Sequence, residues 1–293
     1  MKRDYIYLIS SLPELIINFE AQKIDFETFR REIEEHVHPN DYELVKTLFY
    51  PYDNQNLLNI LLNKNLLFLK KGNFTQETLD EKIKNRNLPK YMNYFIEVFE
   101  DDKRDKKDDD PEEKPKFPDE ILKLYERDKE NLLQTLFYNE ILKIKNTFLR
   151  NWFTFDRELR NVQTAIVARR LQIDASNYFV GENAQVYAQN TSADFGLSDE
   201  IDWVNKILQI AEIPDALERE REIDLFRWEK IEEMSVYNYF GIDVLLAFIK
   251  KADIADRWLS LDKQTGKQMF DSILKDLMKT CDTKKIFNKK DEK

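Results

Sequence analysis

The chain has 293 residues, of which 42% are hydrophobic and 13% aromatic, so it can bury a large core and is globular rather than disordered. It holds 5 Gly, and because phosphate-cradling loops and tight hairpins both consume Gly, nucleotide-binding α/β folds and β-sandwiches are disfavoured. The formal net charge of −10 disfavours non-specific binding to nucleic acid or anionic lipid, and the lone Cys281 excludes an intrachain disulfide framework and fits a reducing cytoplasm.

Residues 1–100 predict an N-terminal helical unit with short breaks. Its start is ambiguous, because the pattern of residues 5–9 fits either a short strand or a buried helical start. Residues 53–70 are rich in Leu and Asn and predict a buried helix with a polar seam. Thr75 is well placed to cap the helix that follows.

Residues 101–118 predict a charged, flexible segment. The stretch from Glu100 to Lys116 has two prolines and almost no apolar side chain, so it cannot bury enough surface to fold alone. We expect a solvated connection between two helical regions. An acidic docking segment for a basic partner is the alternative.

Residues 119–293 predict a central and C-terminal helical region. Asp119 is placed to cap a helix over residues 121–142, and apolar spacing predicts further helices over residues 217–235 and 244–251. A last amphipathic helix is predicted to open at Leu261-Asp262.

The apolar run of residues 244–249 is far shorter than the ~20 residues that a bilayer-spanning helix needs, and no signal peptide is visible. We therefore expect a cytoplasmic protein with no direct membrane insertion, in which any membrane association goes through another protein.

Residues 148–171 carry the strongest single pattern in the chain. Apolar side chains recur in steps of three and four, the spacing of one face of an α-helix, at Phe148, Trp152, Phe155, Leu159, Val162 and Ile166. The same segment carries four arginines that we select as candidate partner contacts: Arg157, Arg160, Arg169 and Arg170. In an acidic protein they suit an acidic partner. A solvated helix flank or intramolecular ion pairs are the alternative.

Residue types that carry chemistry are sparse. His36 and His38 are the two histidines, and with Pro39 directly after them they fit a solvated helix end better than a metal site. The run Asp108-Asp109-Asp110 lacks the alternating ligands and the Gly of a calcium loop. We therefore expect no catalytic residue, no metal and no cofactor. An enzyme built on the two histidines is the alternative that bound metal would support.

Three places share a loose echo, in which aromatic and small polar residues precede an apolar helical run. They are Tyr52-Asp53 before Asn56, Phe155-Asp156 before Asn161, and Tyr239-Phe240 before Asp243. Duplication of a helical unit would produce this echo, and so would chance recurrence of capped helix starts.

Several short motifs together resemble a bacterial family of unassigned function that accompanies V-type ATPase genes. They span most of the chain and are residues 5–15 (YIYLISSLPEL), 52–56 (YDNQN), 151–170, Arg227-Trp228, Tyr239-Phe240, and Arg257-Trp258 followed by Leu261-Asp262 and Gly266. More distantly, the helix starts that combine Asn with apolar residues resemble the C subunit of V/A-type rotary ATPases, called d in eukaryotes. That protein is an all-helical funnel of three related units, which sits on the membrane rotor ring and receives the foot of the central stalk.

The resemblance implies an all-α, non-catalytic protein, a funnel or bundle of about three helical units, that couples the central stalk of a V-type ATPase to its rotor ring. Its partners would then be other ATPase subunits and no nucleic acid, and the four arginines would contact the stalk. A free-standing cytoplasmic scaffold or regulatory protein that binds another protein is the alternative.

Overall fold

The computed structural model describes residues 3–15, 26–105, 117–118, 121, 125, 128–176, 178–181, 187, 192, 194–197, 201–236 and 239–260. Eleven helices run through this part of the chain, which contains no β-strand, so the predicted all-α class is confirmed. They are α1 (Ile6–Ser11), α2 (Phe26–His36), α3 (Pro39–Thr47), α4 (Tyr50–Leu61), α5 (Gln76–Asn85), α6 (Lys90–Asp105), α7 (Lys129–Ile141), α8 (Thr147–Leu171), α9 (Val204–Ala211), α10 (Ala216–Ser235) and α11 (Ile242–Ser260). Their grouping into three units stays a prediction.

Helix α8 is the centre of the C-terminal region. Its 25 residues begin after Asn146, whose side chain accepts a hydrogen bond from the Leu149 amide, and end where Gln172 turns left-handed. It packs against α7, α9, α10 and α11. The predicted apolar stripe is confirmed. Five of its six side chains are almost fully buried, namely Phe148, Trp152, Phe155, Leu159 and Val162, and the sixth, Ile166, is partly buried.

A chain of aromatic rings joins the N-terminal helices to α8. The ring of Tyr91 on α6 lies 5.6 Å from that of Phe137 on α7, and Phe137 lies 5.3 Å from Phe153 on α8. All three side chains are buried. Because edge-to-face and tilted ring pairs add to the burial of large apolar area, this chain ties the two halves into one core.

The predicted helix over residues 53–70 is correct for its first half and wrong for its second. Helix α4 ends at Leu61, and residues 62–75 form a loop. Asn63 turns left-handed with φ 49°, and the Lys64 amide bonds back to the Asn59 carbonyl, which closes the helix. The Leu-rich pattern continues past this point, so spacing alone does not mark the end.

Other predicted boundaries also shift. Residues 6–11 are helical, which answers the choice between strand and helix at the N-terminus. Residues 121 and 125 are helical, but a new helix, α7, begins after Asp128, which accepts hydrogen bonds from the Glu130 and Asn131 amides, so the single helix predicted over residues 121–142 is interrupted there. Helix α11 continues past residue 251 to Ser260, because Ile254 and its neighbours remain buried.

Three predictions fall partly or wholly outside the described residues. Helix α6 includes residues 101–105 of the predicted charged segment, whereas residues 106–116 lie outside the described part, as do Asp119 and the last amphipathic helix from residue 261. Among the described helices, none combines the length and the apolarity that crossing a bilayer requires.

Candidate functional site: a charged cavity between four helices

A strongly charged recess lies where α4, α8, α10 and α11 meet the loop that follows α4. It is a cavity of about 520 Å3 whose wall holds five cationic and four acidic side chains together with Tyr52 and Trp152. The charged residues are Lys70, Lys71, Arg227, Lys250, Arg257, Asp156, Asp224, Asp253 and Asp256. In a chain of net charge −10, this near-balanced mixture differs from the acidic composition of the whole protein.

In one half of the cavity, several polar side chains contact the carboxylate of Asp253 on α11. Its carboxylate accepts hydrogen bonds from the Tyr52 hydroxyl at 2.6 Å and from Lys71 Nζ at 2.9 Å, and Lys250 Nζ lies 3.2 Å away. Lys71 also contacts Asp256 at 2.8 Å. The loop after α4 is thus tied to α11 across 182 residues of sequence.

The charges around Asp253 fix the protonation of the group. Burial opposes its ionisation, but Lys250 and Lys71 outweigh burial and lower the pKa of Asp253 to about 2. Burial, with Asp253 next to it, raises the pKa of the Tyr52 hydroxyl far above its ordinary value. Burial would lower the pKa of Lys71, but Asp253 and Asp256 raise it. These three groups therefore keep fixed protonation states around neutral pH.

Asp224 on α10 is the hub of the other half. This side chain is 1% exposed and accepts hydrogen bonds from Arg257 and from the indole N–H of Trp258, the latter at 2.8 Å. Arg227 lies between two carboxylates, at 3.5 Å from Asp224 and 3.7 Å from Asp156. Its Nε is buried and finds no hydrogen-bond partner among the described residues. Among the cavity cations that make ion pairs within the described residues, Arg227 therefore has the longest contacts, and its Nε donates no hydrogen bond there.

A second buried cluster holds the loop that carries Lys71. Asp53 accepts hydrogen bonds from the Asn73 amide at 2.7 Å, the Asn73 side chain at 2.7 Å and the Phe74 amide at 3.3 Å. Gly72 lies so close that a Cβ there would come within 2.3 Å of Asp53 Oδ1. Burial, which outweighs these hydrogen bonds, raises the pKa of Asp53 to about 6.

The amide of Asn56 holds the same loop at a point closer to α4. Its Nδ2 donates to the Leu69 carbonyl at 2.9 Å, and its Oδ1 accepts from the Leu69 amide at 2.8 Å. From the other side, Arg30 Nη1 donates to the Gly72 carbonyl at 2.7 Å. Residues 69–74 are thus positioned by side chains of two helices, α2 and α4.

The first two predicted partner contacts bind within the chain. Arg157 donates to the neighbouring Glu158 at 2.7 Å. Arg160 donates to Asn131 at 3.3 Å and lies 3.9 Å from Glu130. Arg160 also lines an open groove of about 580 Å3 beside α8, which is separate from the charged cavity.

The other two arginines lie exposed at the C-terminal end of α8. The guanidinium of Arg169 stacks over Phe195 at 4.1 Å, and Arg170 donates to the Ala211 carbonyl at 2.7 Å and lies 3.7 Å from Glu212. None of the four arginines lines the charged cavity. Their role as contacts to a partner stays a prediction, and each already has an intramolecular partner.

Sequence reasoning selected no residue of the charged cavity as a site residue. Two signals were present, since Arg227-Trp228 and Arg257-Trp258 belong to the motifs of the family resemblance, and both arginines line the cavity. Asp253 and Lys71 carried no signal, because their contact depends on the fold.

The side chains of the two histidines contact backbone groups of their own helices. His38 caps α3 by accepting a hydrogen bond from the Asn40 amide at 3.1 Å, and His36 Nδ1 lies 2.8 Å from the Glu32 carbonyl. Within the described residues, no three His, Cys, Asp or Glu side chains are grouped so that they could hold a metal ion.

The fold and the cavity define a class: an all-α protein with a charged recess between its helices. Comparison with known proteins assigns the family. A model of the family described as "Protein of unknown function (DUF2764)" matches residues 1–281, and the chain belongs to this family.

One relative is an "Uncharacterized protein" of Chlamydia muridarum (strain MoPn / Nigg), which is 27% identical over 146 residues. The match covers 47% of this chain, and the chain spans about half the length of that relative, 54%. No solved structure matches the chain.

Proposed function

We propose that this protein is a non-catalytic component of a V-type ATPase, similar to the C subunit of the V/A-type enzymes, which couples the central stalk to the membrane rotor ring. The support is the set of short motifs that resemble a family accompanying V-type ATPase genes, together with the all-helical fold. In this proposal the protein is cytoplasmic, its partners are other ATPase subunits, and it reaches the membrane through them.

The charged cavity is the observation that carries the proposal. A coupling part needs a recess in which side chains of a neighbouring ATPase component are held by fixed charges. The volume of about 520 Å3 lies within the ~300–1,000 Å3 of small-ligand sites, so the cavity suits a few inserted side chains rather than a whole stalk. The Arg227 side chain is 26% exposed and lies 3.5 Å from Asp224 and 3.7 Å from Asp156, so its guanidinium can also pair with an acceptor on such a side chain.

The ion pairs of the cavity also connect the two halves of the chain. Lys71 belongs to the N-terminal region, and Asp253 and Asp256 belong to α11. Partly buried ion pairs that share hydrogen bonds hold their geometry better than exposed pairs. A part that transmits torque requires such a stiff connection between its halves.

Copurification from native membranes tests the proposal. We expect the tagged protein to copurify with the V-type complex in fixed stoichiometry, and Arg227→Gln to reduce that recovery at least fivefold. Arg221→Gln is the matched control, since Arg221 lies exposed on the same helix and does not line the cavity. Thermal unfolding of both variants separates lost binding from lost folding. Absence of the wild-type protein from an intact V-type complex in cells that express both would refute the proposal.

A free-standing helical scaffold is the second candidate, and a specific surface favours it. The Tyr5 amide donates to the Phe240 carbonyl at 2.7 Å, which brings the residues just before α1 against those just before α11. Large apolar side chains lie exposed beside this bond, with Tyr7 93% and Tyr239 72% exposed. Recovery of the protein in a stable complex without ATPase subunits would support this candidate over the first.

A further inference from the structure

The loop between α4 and α5 combines a fixed backbone with a bare apolar tip. Leu66 and Leu67 are 60% and 85% exposed, although five residues on, the same loop is held by Asp53 and Arg30. An exposed pair of leucines on a well-anchored loop loses little conformational entropy when it binds. The tip is therefore preorganised to contact another molecule.

The stretch of sequence that contains this tip has lysines and no acidic residue. No Asp or Glu occurs between Asp53 and Glu77, the longest stretch without acidic residues in the chain. Lys64 and Lys70 flank the leucines, are exposed, and make no ion pair within the part of the chain that the structure describes. The third lysine, Lys71, points the other way and is neutralised by α11.

We propose that residues 64–70 form a docking surface, the basic-apolar loop, for a partner protein segment whose acidic side chains flank an apolar strip. Leu66 and Leu67 cover the apolar strip, while Lys64 and Lys70 pair with the acids on either side. Lys70 also lines the charged cavity, so the same partner segment can reach its rim. The inference goes beyond the ATPase proposal, because it concerns a surface and holds if the protein acts outside that complex.

The short range of electrostatic interactions in salt makes a protein segment a better ligand for this loop than an anionic bilayer. At physiological ionic strength charges act over about 8 Å, so a narrow segment meets mainly the lysines of the loop. A bilayer presents a plane of headgroups that also faces other parts of a protein whose net charge is −10. The surface therefore suits a narrow acidic ligand.

A designed peptide tests the surface on the full-length protein. The probe is a labelled helical peptide of about 18 residues with leucines on one face and glutamates elsewhere, and its counterpart carries lysines in place of the glutamates. We expect the acidic peptide to bind at least tenfold more tightly than the basic one, by fluorescence anisotropy at about 50 mM salt, and to weaken at about 200 mM.

Paired variants assign the binding to the loop. The double variant Lys64→Glu with Lys70→Glu is expected to weaken the acidic peptide at least tenfold. Lys84→Glu with Lys145→Glu changes the net charge equally at exposed sites elsewhere and is expected to change binding less than twofold. Leu66→Ser with Leu67→Ser is expected to weaken binding at least fivefold, and Leu217→Ser, at a residue that is 57% exposed, is the control.

Each remaining outcome overturns the inference. Equal losses in the loop and control variants would show a non-specific charge effect, and no binding by the wild-type protein would remove the surface. A third experiment measures binding of the wild type and the variants to vesicles of about 30% phosphatidylserine in phosphatidylcholine. Vesicle binding that is lost in the lysine variant, without peptide binding, would assign the loop to a membrane instead. Urea unfolding of every variant confirms that the loop changes leave the fold intact.

Discussion

The loops after α4 and α8 are held by the same device in different surroundings. Asn56 grips the backbone of Leu69 through one donated and one accepted hydrogen bond, and Asn161 grips Val180 in the same way, with both bonds at 2.9 Å. A glycine of each loop then lies against the parent helix. In the first loop Gly72 faces a carboxylate, that of Asp53; in the second, a Cβ at Gly181 would meet the Arg157 side chain.

The difference shows how one backbone device can serve two purposes. The first loop presents two exposed leucines and two exposed lysines that make no ion pair with the described residues, whereas the second contains Asp174 and lies near arginines that already have partners. We call this pair of hydrogen bonds from an asparagine side chain the clamp. It fixes the backbone of both loops, and the charge of the neighbouring residues decides what each loop can bind. Of the three places that share the sequence echo, two hold a loop through an asparagine side chain, Asn56 and Asn161. At the third place, Asp243 instead accepts a hydrogen bond from Asn146 at 2.6 Å.

Removing each clamp is the strongest way to test this comparison. Val180 is 1% exposed, so Asn161→Ala leaves a buried amide and a buried carbonyl without partners, and we expect a loss of about 3–5 kcal/mol in the free energy of unfolding. Leu69 is partly exposed, so water can replace part of the hydrogen bonding that Asn56 supplies, and Asn56→Ala should cost about 1–3 kcal/mol.

Urea unfolding measures both clamp variants. The controls are Asn59→Ala on α4 and Asn151→Ala on α8, which carry no clamp and should change stability by about 0.5 kcal/mol or less. Equal losses for the two clamps would contradict the role assigned to burial.

Two carboxylates contact the first loop, Asp53, which is buried, and Asp253, which is partly buried, and they should respond to pH in opposite directions. The pKa of Asp53 is raised to about 6, so the native state holds this proton more tightly than the unfolded chain, and stability rises as pH falls from about 6 to about 4. The pKa of Asp253 is lowered to about 2 from its ordinary 3.8, so its contribution is full above about pH 4 and is lost as pH falls towards 2.

Unfolding of the wild type, Asp53→Asn and Asp253→Asn at three pH values isolates these contributions. The stability of wild type relative to Asp53→Asn should increase by about 1 kcal/mol from about pH 7 to about pH 5. Relative to Asp253→Asn, it should stay constant over that range and fall by about 1 kcal/mol towards pH 3. Changes of the same sign for both would refute the assigned environments.

The sequence predicts elements whose signal is local and misses contacts that the fold creates. The stripe of α8 and the Thr75 cap of α5 were predictable, because each depends on residues a few positions apart. The end of α4 was not, because the partner of Asn56 lies 13 residues away and the leucines beyond Leu61 keep a helical spacing. The Lys71–Asp253 pair joins residues 182 apart, and in a chain with so many charges no local pattern selects it.

The last prediction compares the stability lost on replacing each of the two arginines that contact these loops, Arg30 and Arg157. Arg30 donates to the Gly72 carbonyl and to the Asn73 side chain, so Arg30→Gln removes two contacts that hold the first loop and should cost about 1–2 kcal/mol. Arg157 pairs with Glu158, which keeps a hydrogen bond from Tyr187 when Arg157 is replaced, so Arg157→Gln should cost about 1 kcal/mol or less.

Binding distinguishes these two arginines further. If Arg157 contacts a partner, as its sequence context predicts, Arg157→Gln will reduce recovery of the complex while stability hardly changes. Arg30→Gln should instead loosen residues 69–74 and make their amides exchange faster with solvent, because the Gly72 carbonyl loses its donor. An Arg157 variant that keeps full recovery would assign that arginine to the second loop alone.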